Sequence, residues 1–124
     1  FWLSISLPLL AACIVLGFML GKSASVIIVA ALVLPDIALI GAFAGEGKLK
    51  ANRVQFYNFT HSLTGPISLA IAACIMLVFT KDYTALLAAL AWFTHIAIDR
   101  SCGYRLREPD GSIRPEHAEK VAAL

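Results

Sequence analysis

Four apolar stretches dominate this chain, and they decide the solvent in which it can fold. Leu3–Leu20 carries no charge, and Ser25–Phe43 is interrupted only by Asp36. Tyr57–Phe79 carries His61 near its start, and Tyr83–Ile98 carries His95 near its end. Crossing about 30 Å of hydrocarbon takes roughly 17–25 helical residues. The first three stretches meet that length, and the fourth does so with Asp82 and Arg100 at its margins. Backbone N–H and C=O groups find no water in lipid, so a spanning segment must be a helix or part of a closed barrel, and nothing here alternates like a barrel strand. Composition agrees: 60% of the 124 residues are hydrophobic and 15% charged, with a mean hydropathy of +0.82. A soluble domain carries about 25% charged residues, and one this small exposes too much surface to hide so much apolar area. The expectation is an all-α integral membrane protein: a four-transmembrane-helix bundle over residues 1–107, with helices at about 3–20, 25–43, 57–79 and 83–98. A polar cytoplasmic tail over 108–124 follows, ending in a short helix from Pro115 to Leu124.

The connections are short. Gly21-Lys22-Ser23 and Lys81-Asp82 each force an antiparallel hairpin of helices. Basic residues collect in the middle loop Gly45–Gln55 (Lys48, Lys50, Arg53) and in the tail (Arg105, Arg107, Arg114, Lys120), against Lys22 and Lys81 on the other side. The positive-inside rule therefore places the middle loop, the tail and, by parity, the N-terminus in the cytoplasm. The chain begins with Phe1 rather than Met, which suggests a processed or truncated N-terminus. Leu3–Gly21 lacks the basic flank of a signal peptide.

Several function classes fall away. The net charge of +2, without a Lys/Arg run, gives no nucleic-acid surface. Cys13, Cys74 and Cys102 are odd in number and show no paired spacing. Phosphate loops, dinucleotide fingerprints and nucleophile elbows are absent. What remains is a set of ionisable residues inside the spans: Asp36, His61, His95 and Asp99. Each costs free energy in lipid and is expected to face the bundle interior. In the expected topology Asp36 lies roughly 10–13 Å from the cytoplasmic end of its helix at 1.5 Å per residue. His61, His95 and Asp99 lie near the same face, so three helices offer two carboxylates and two imidazoles at overlapping depth.

His95 and Asp99 are one helical turn apart and can share a ligand. Asp36 and His61 complete a four-ligand N/O site for a divalent metal such as zinc, manganese or iron. Asn58, one turn before His61, and Arg100 are candidate catalytic or substrate-orienting groups. The plainer alternative is a network of interhelical hydrogen bonds worth about 1 kcal/mol each. A metal-free proton relay is a third. Pro35 and Pro66 free the carbonyls of Ala31 and Ser62, which makes either a simple kink or a broken helix lining a site. Small residues such as Ala30, Ala31, Ala72, Ala73, Ala88 and Ala89 allow close packing with other membrane subunits or with a second copy. Trp2, Tyr57, Tyr83 and Tyr104 read as interfacial anchors.

The segment Tyr57-Asn58-Phe59-Thr60-His61 with Pro66, then Trp92-Phe93-Thr94-His95-Ile96-Ala97-Ile98-Asp99-Arg100, then Gly103-Tyr104, resembles a small bacterial membrane family, the domain-of-unknown-function family numbered 4260. Pro35-Asp36 fits the same pattern. More distantly, the Thr-His-Ser and His-x-x-x-Asp pieces are similar to inner-membrane metal-dependent hydrolases. The resemblance implies a multi-pass protein of the bacterial inner membrane, with the bilayer as its first partner. Two functions are carried forward: a metal-dependent hydrolase with its site at the cytoplasmic side, and a non-catalytic accessory subunit of a larger membrane complex.

Overall fold

The computed structural model describes residues 1–116. The helix expected over Pro115–Leu124 therefore lies almost wholly outside the described residues. Helix α1 spans Trp2–Leu20 and α2 spans Lys22–Val33. Gly21 alone reverses the chain between them, at φ 90°, where a side chain would be strained. Ser25 secures the pair by donating from its hydroxyl to the Gly17 carbonyl at 2.9 Å.

α2 passes into a 3-10 turn, Leu34–Leu39, with Pro35 at its start. The second apolar stretch is thus not one α-helix to Phe43. Phe43 instead opens a small antiparallel hairpin, β1 (Phe43–Gly45) and β2 (Lys48–Leu49), with Phe43 opposite Leu49. The segment expected as a plain middle loop therefore holds this hairpin and the first turn of α3, Ala51–His61. α3 then breaks, and α4 (Thr64–Thr80) and α5 (Thr84–Ser101) follow.

α5 is the centre of the molecule. It packs against α1, α2 and α4, and its Leu87, Ala89, Ala91, Thr94, His95, Ile96, Ala97 and Arg100 are buried. The alanines let neighbouring backbones close in, and Cys13, Ala24 and Ile28 join Leu87 and Ala91 in one core cluster. The outer faces of α1, α2 and α4 expose Phe18, Val26, Ile71, Ile75 and Phe79, among others. Such a continuous apolar exterior would be an interaction surface on a soluble protein.

Three helical stretches are long and apolar enough to cross a membrane: Trp2–Leu20, Lys22–Leu39 and Ala51–Thr80. α5 is not one of these. Its polar Thr94, His95, Asp99 and Arg100 lower its hydropathy, and protein shields much of it.

The tail does not stand apart from the helices. Leu49 donates its N–H to the Gly111 carbonyl at 3.0 Å, and Arg107 forms a β-bridge with Ile113. Gly111 has φ +87°, and a β-carbon there would overlap the Leu49 carbonyl oxygen. Hairpin and tail therefore form one cap at one end of the bundle. A second core lies beneath the hairpin, of Ala38, Ala42, Leu49, Val54 and Tyr57.

Candidate metal centre

The site begins with the break between α3 and α4. Ser62 takes an extended conformation, ψ 150°. Pro66, in the first turn of α4, has no N–H to offer the Ser62 carbonyl. Carbonyls stranded at such a break need donors from elsewhere, because non-helical backbone at membrane depth survives only where protein satisfies it. α5 supplies them. Trp92 Nε1 donates to the Thr60 carbonyl at 2.7 Å, and Arg100 Nη2 donates to the His61 carbonyl at 3.1 Å. The same guanidinium, through Nη1, reaches the Tyr104 carbonyl at 3.0 Å. Two side chains of α5 therefore fix the end of α3, and with it His61.

Four side chains then meet. His61 Nε2 and His95 Nε2 are 3.4 Å apart. Asp99 Oδ2 is 3.5 Å from each. Asp36 Oδ1 is 3.7 Å from His61 Nε2 and 3.6 Å from His95 Nε2. All four donor atoms lie within 4.8 Å of one another. A tetrahedral ion with ligand bonds of about 2.0–2.2 Å has ligand–ligand edges of about 3.3–3.6 Å. The five edges that involve a histidine lie at or near that range, and the two carboxylate oxygens stand no more than 4.8 Å apart, so this Asp and His group can hold a metal ion.

Tautomer and charge point the same way. His61 Nδ1 lies 3.0 Å from the Tyr57 carbonyl, an oxygen that can only accept. Nδ1 therefore carries the proton, and in the neutral ring Nε2 keeps its lone pair toward the cluster. The Thr60 hydroxyl, 2.9 Å from Nδ1, spends its own hydrogen on backbone carbonyls and accepts from the ring. The Leu32 carbonyl lies beside the His95 imidazole. Such outer partners commonly orient metal-binding histidines. Two carboxylates and two neutral imidazoles carry charge −2, which one divalent ion cancels. Cancellation matters where an uncompensated charge costs several kcal/mol.

Exposure shows where the site opens. His61 is fully buried, His95 and Asp99 are largely covered, and the Asp36 side chain is 51% exposed. Asp36 sits on the 3-10 turn at the rim.

Asn58 and Arg100 lie outside the four-atom group. The Asn58 amide pairs with the main chain of Arg107, donating to its carbonyl at 2.9 Å and accepting its N–H at 2.7 Å. Two residues that the sequence did not single out for the site support it. Tyr57, expected as an interfacial anchor, is buried and stacks on His61 with centroids 4.0 Å apart and planes at 17°. Arg107 lies over the other part of this column, 5.5 Å from the Tyr57 ring centre, and donates to the Gly47 carbonyl at 2.7 Å. In the sequence Tyr57 stood only as an interfacial anchor, and Arg107 only among the basic residues of the tail.

The family model for Domain of unknown function (DUF4260) matches residues 2–117. The chain belongs to that family. The DUF4260 match runs from the start of α1 through the cap, so all four donor residues and both supporting residues fall within it. No curated protein and no solved structure matches the chain.

Proposed function

We propose that this DUF4260 protein is a membrane-embedded hydrolase that binds one divalent metal through Asp36, His61, His95 and Asp99 at the cytoplasmic side. The observation that carries the reading is the convergence of four donor atoms within 4.8 Å of one another, with His61 presenting Nε2. α5 serves as a fourth span in this reading, shielded from lipid by its neighbours, with both termini, the hairpin and the tail inside. The cap supports this orientation, since hairpin and tail are hydrogen-bonded to each other and, with the start of α3, carry most of the basic residues.

Zinc suits a four-coordinate N/O set best, with manganese and iron as competitors. A divalent ion held by these four residues would supply Lewis acidity toward water. Asp36, the exposed member of the set, would take the proton of a water adding to an electrophilic carbonyl carbon and return it to the leaving oxygen as the bond from that carbon to it breaks. Asn58 and Arg100, tied to backbone, act by positioning.

The test is metal analysis of the detergent-purified protein beside His95→Ala. The expected result is about one divalent ion per chain in the parent and loss of it in the variant. With both proteins stripped of metal by a chelator the melting temperatures should differ little, because a lost interhelical hydrogen bond costs about 1 kcal/mol, whereas added metal should raise only the parent's. A parent that takes up none of zinc, manganese or iron overturns the reading. The cluster would then be interhelical bonding, as an accessory subunit requires.

A further inference from the structure

An apolar groove of about 300 Å³ lies beside the four-donor cluster. Ala31, Leu34, Pro35, Phe59, Thr60, Ala88 and Trp92 line it, and the Thr60 hydroxyl is 2.9 Å from His61 Nδ1. Pro35 precedes Asp36, Thr60 precedes His61, and Ala88, Trp92 and His95 are spaced four and three apart along one face of α5. The polar atoms of the lining are already engaged. Trp92 Nε1 is spent on the Thr60 carbonyl, and the Thr60 hydroxyl on the Phe56 and Tyr57 carbonyls and the His61 ring. The side chains lining the groove thus offer no free donor to a polar ligand, and through Thr60 the groove adjoins the most polar place in the spans. A larger apolar cavity, about 560 Å³ between α1, α4 and α5, is lined by residues such as Leu16, Leu20, Leu86 and Tyr83, none of them next to a donor in the chain. A lipid chain there would only solvate the protein.

From this juxtaposition we propose that the groove seats one acyl chain of a membrane lipid and that the substrate is the acyl ester at the end of that chain. Ala88 lies seven residues before His95, about 10 Å along α5 at 1.5 Å per residue. A chain with its methylenes over Ala88 and Trp92 brings its own carbonyl, the first polar group it carries, to the cluster. Water is added across the ester, and the products are a fatty acid and an alcohol. The catalytic half of this inference rests on the proposed metal reading, and the binding half does not.

The experiment uses the full chain in a Trp2→Phe background, leaving Trp92 as the sole tryptophan. It is reconstituted in dioleoylphosphatidylcholine vesicles with a rising fraction of phosphatidylcholine brominated midway along one acyl chain. Trp92 fluorescence should be quenched, and Ala88→Leu, which fills the groove from α5, should at least halve that quenching. Ala31→Leu fills the groove from α2 and gives a second reading should Ala88→Leu fail to fold. In parallel, zinc content is measured, and kcat/KM is followed over butyryl, hexanoyl, octanoyl and decanoyl esters of one alcohol. The expected result is a rise of tenfold or more from butyryl to octanoyl, flattened in the filled variants while their zinc stays bound. Equal quenching in parent and filled variants overturns the groove, whatever the metal content. Quenching that responds to filling, in a protein that binds no metal, overturns the ester as substrate and the hydrolase reading with it, and leaves lipid binding standing.

Discussion

His61 is held on every side by groups that leave its Nε2 no freedom. Its Nδ1 proton is taken by the Tyr57 carbonyl, its ring face lies on the Tyr57 ring, and its own carbonyl is held by Arg100. The two parts of Tyr57 can be separated by mutation. Tyr57→Phe keeps the stack and loses the hydroxyl's bonds to the Arg105 carbonyl, 3.3 Å long, and to the Arg107 side chain. It should cost about 0.5–1.5 kcal/mol of stability and leave metal affinity nearly unchanged. Tyr57→Leu removes the stack and should weaken metal binding by about 10–100-fold, as loss of an outer partner does. Chelator competition titrations beside melting curves check both, and equal affinity in all three proteins would mean that the stack does not orient His61. At this scale the donors were legible because Asp and His are scarce in apolar stretches and expensive there. Tyr57 was not, since a tyrosine near a helix end is as much at home in an interface as under a folded tail.

Whole elements decide whether four scarce residues meet. α5 carries two of the donors and also the two side chains that close the break beyond α3, so the geometry of His61 depends on α5 twice. Gly65 is where this can be disturbed without touching a donor. A β-carbon there would overlap the Trp92 ring, with Cζ2 at 2.6 Å. Gly65→Ala should therefore push Trp92 off the Thr60 carbonyl, cost about 1–3 kcal/mol as overpacking does, and lower metal affinity. Pro66→Ala should do little to either, because a first-turn residue of α4 has no N–H bond within that helix to restore. Melting temperature and bound metal of the two variants check the contrast, and a larger loss from Pro66→Ala would show that the proline itself maintains the break. The sequence indicated a disturbance near Pro66 and another at Pro35. It did not place the ends of the helices, since an apolar stretch reads the same whether its hydrogen bonds run unbroken or are taken over by α5. Nor did it mark α5 as the shielded helix, because that depends on which three neighbours surround it.

Across the whole molecule, the cap ties the hairpin, the tail and the site end of the bundle together. Basic residues make this end distinct: Lys48, Lys50, Arg53, Arg105, Arg107 and Arg114 lie in the hairpin, the start of α3 and the tail, against Lys22 and Lys81 at the other end. Since hairpin and tail touch, they share one side of any membrane the helices cross, and in the proposed orientation the charge rule assigns that side to the cytoplasm. With Cys13, Cys74 and Cys102 replaced by alanine, Lys22→Cys should react with an impermeant maleimide on intact cells. Lys50→Cys should react only after permeabilisation, and the reverse pattern would invert the proposed orientation. The cap itself hinges on Gly111, whose φ of +87° and contact with the Leu49 carbonyl leave no room for a side chain. Gly111→Ala must give up the left-handed backbone, the Leu49 contact or both, at a cost of about 1–3 kcal/mol for a strained residue. Where the opened form recloses faster than it is cut, proteolysis follows its population, and each 1.4 kcal/mol is about tenfold. Trypsin added to inverted vesicles should accordingly cut the Gly111→Ala tail at Arg105 or Arg107 about tenfold faster than the parent's. Right-side-out vesicles should protect both. Because Asn58 grips the Arg107 main chain and Arg107 lies over Tyr57, the opened tail should also cost metal affinity, which a tail merely resting on the surface would not. Equal cleavage and equal affinity in parent and variant would separate the cap from the site.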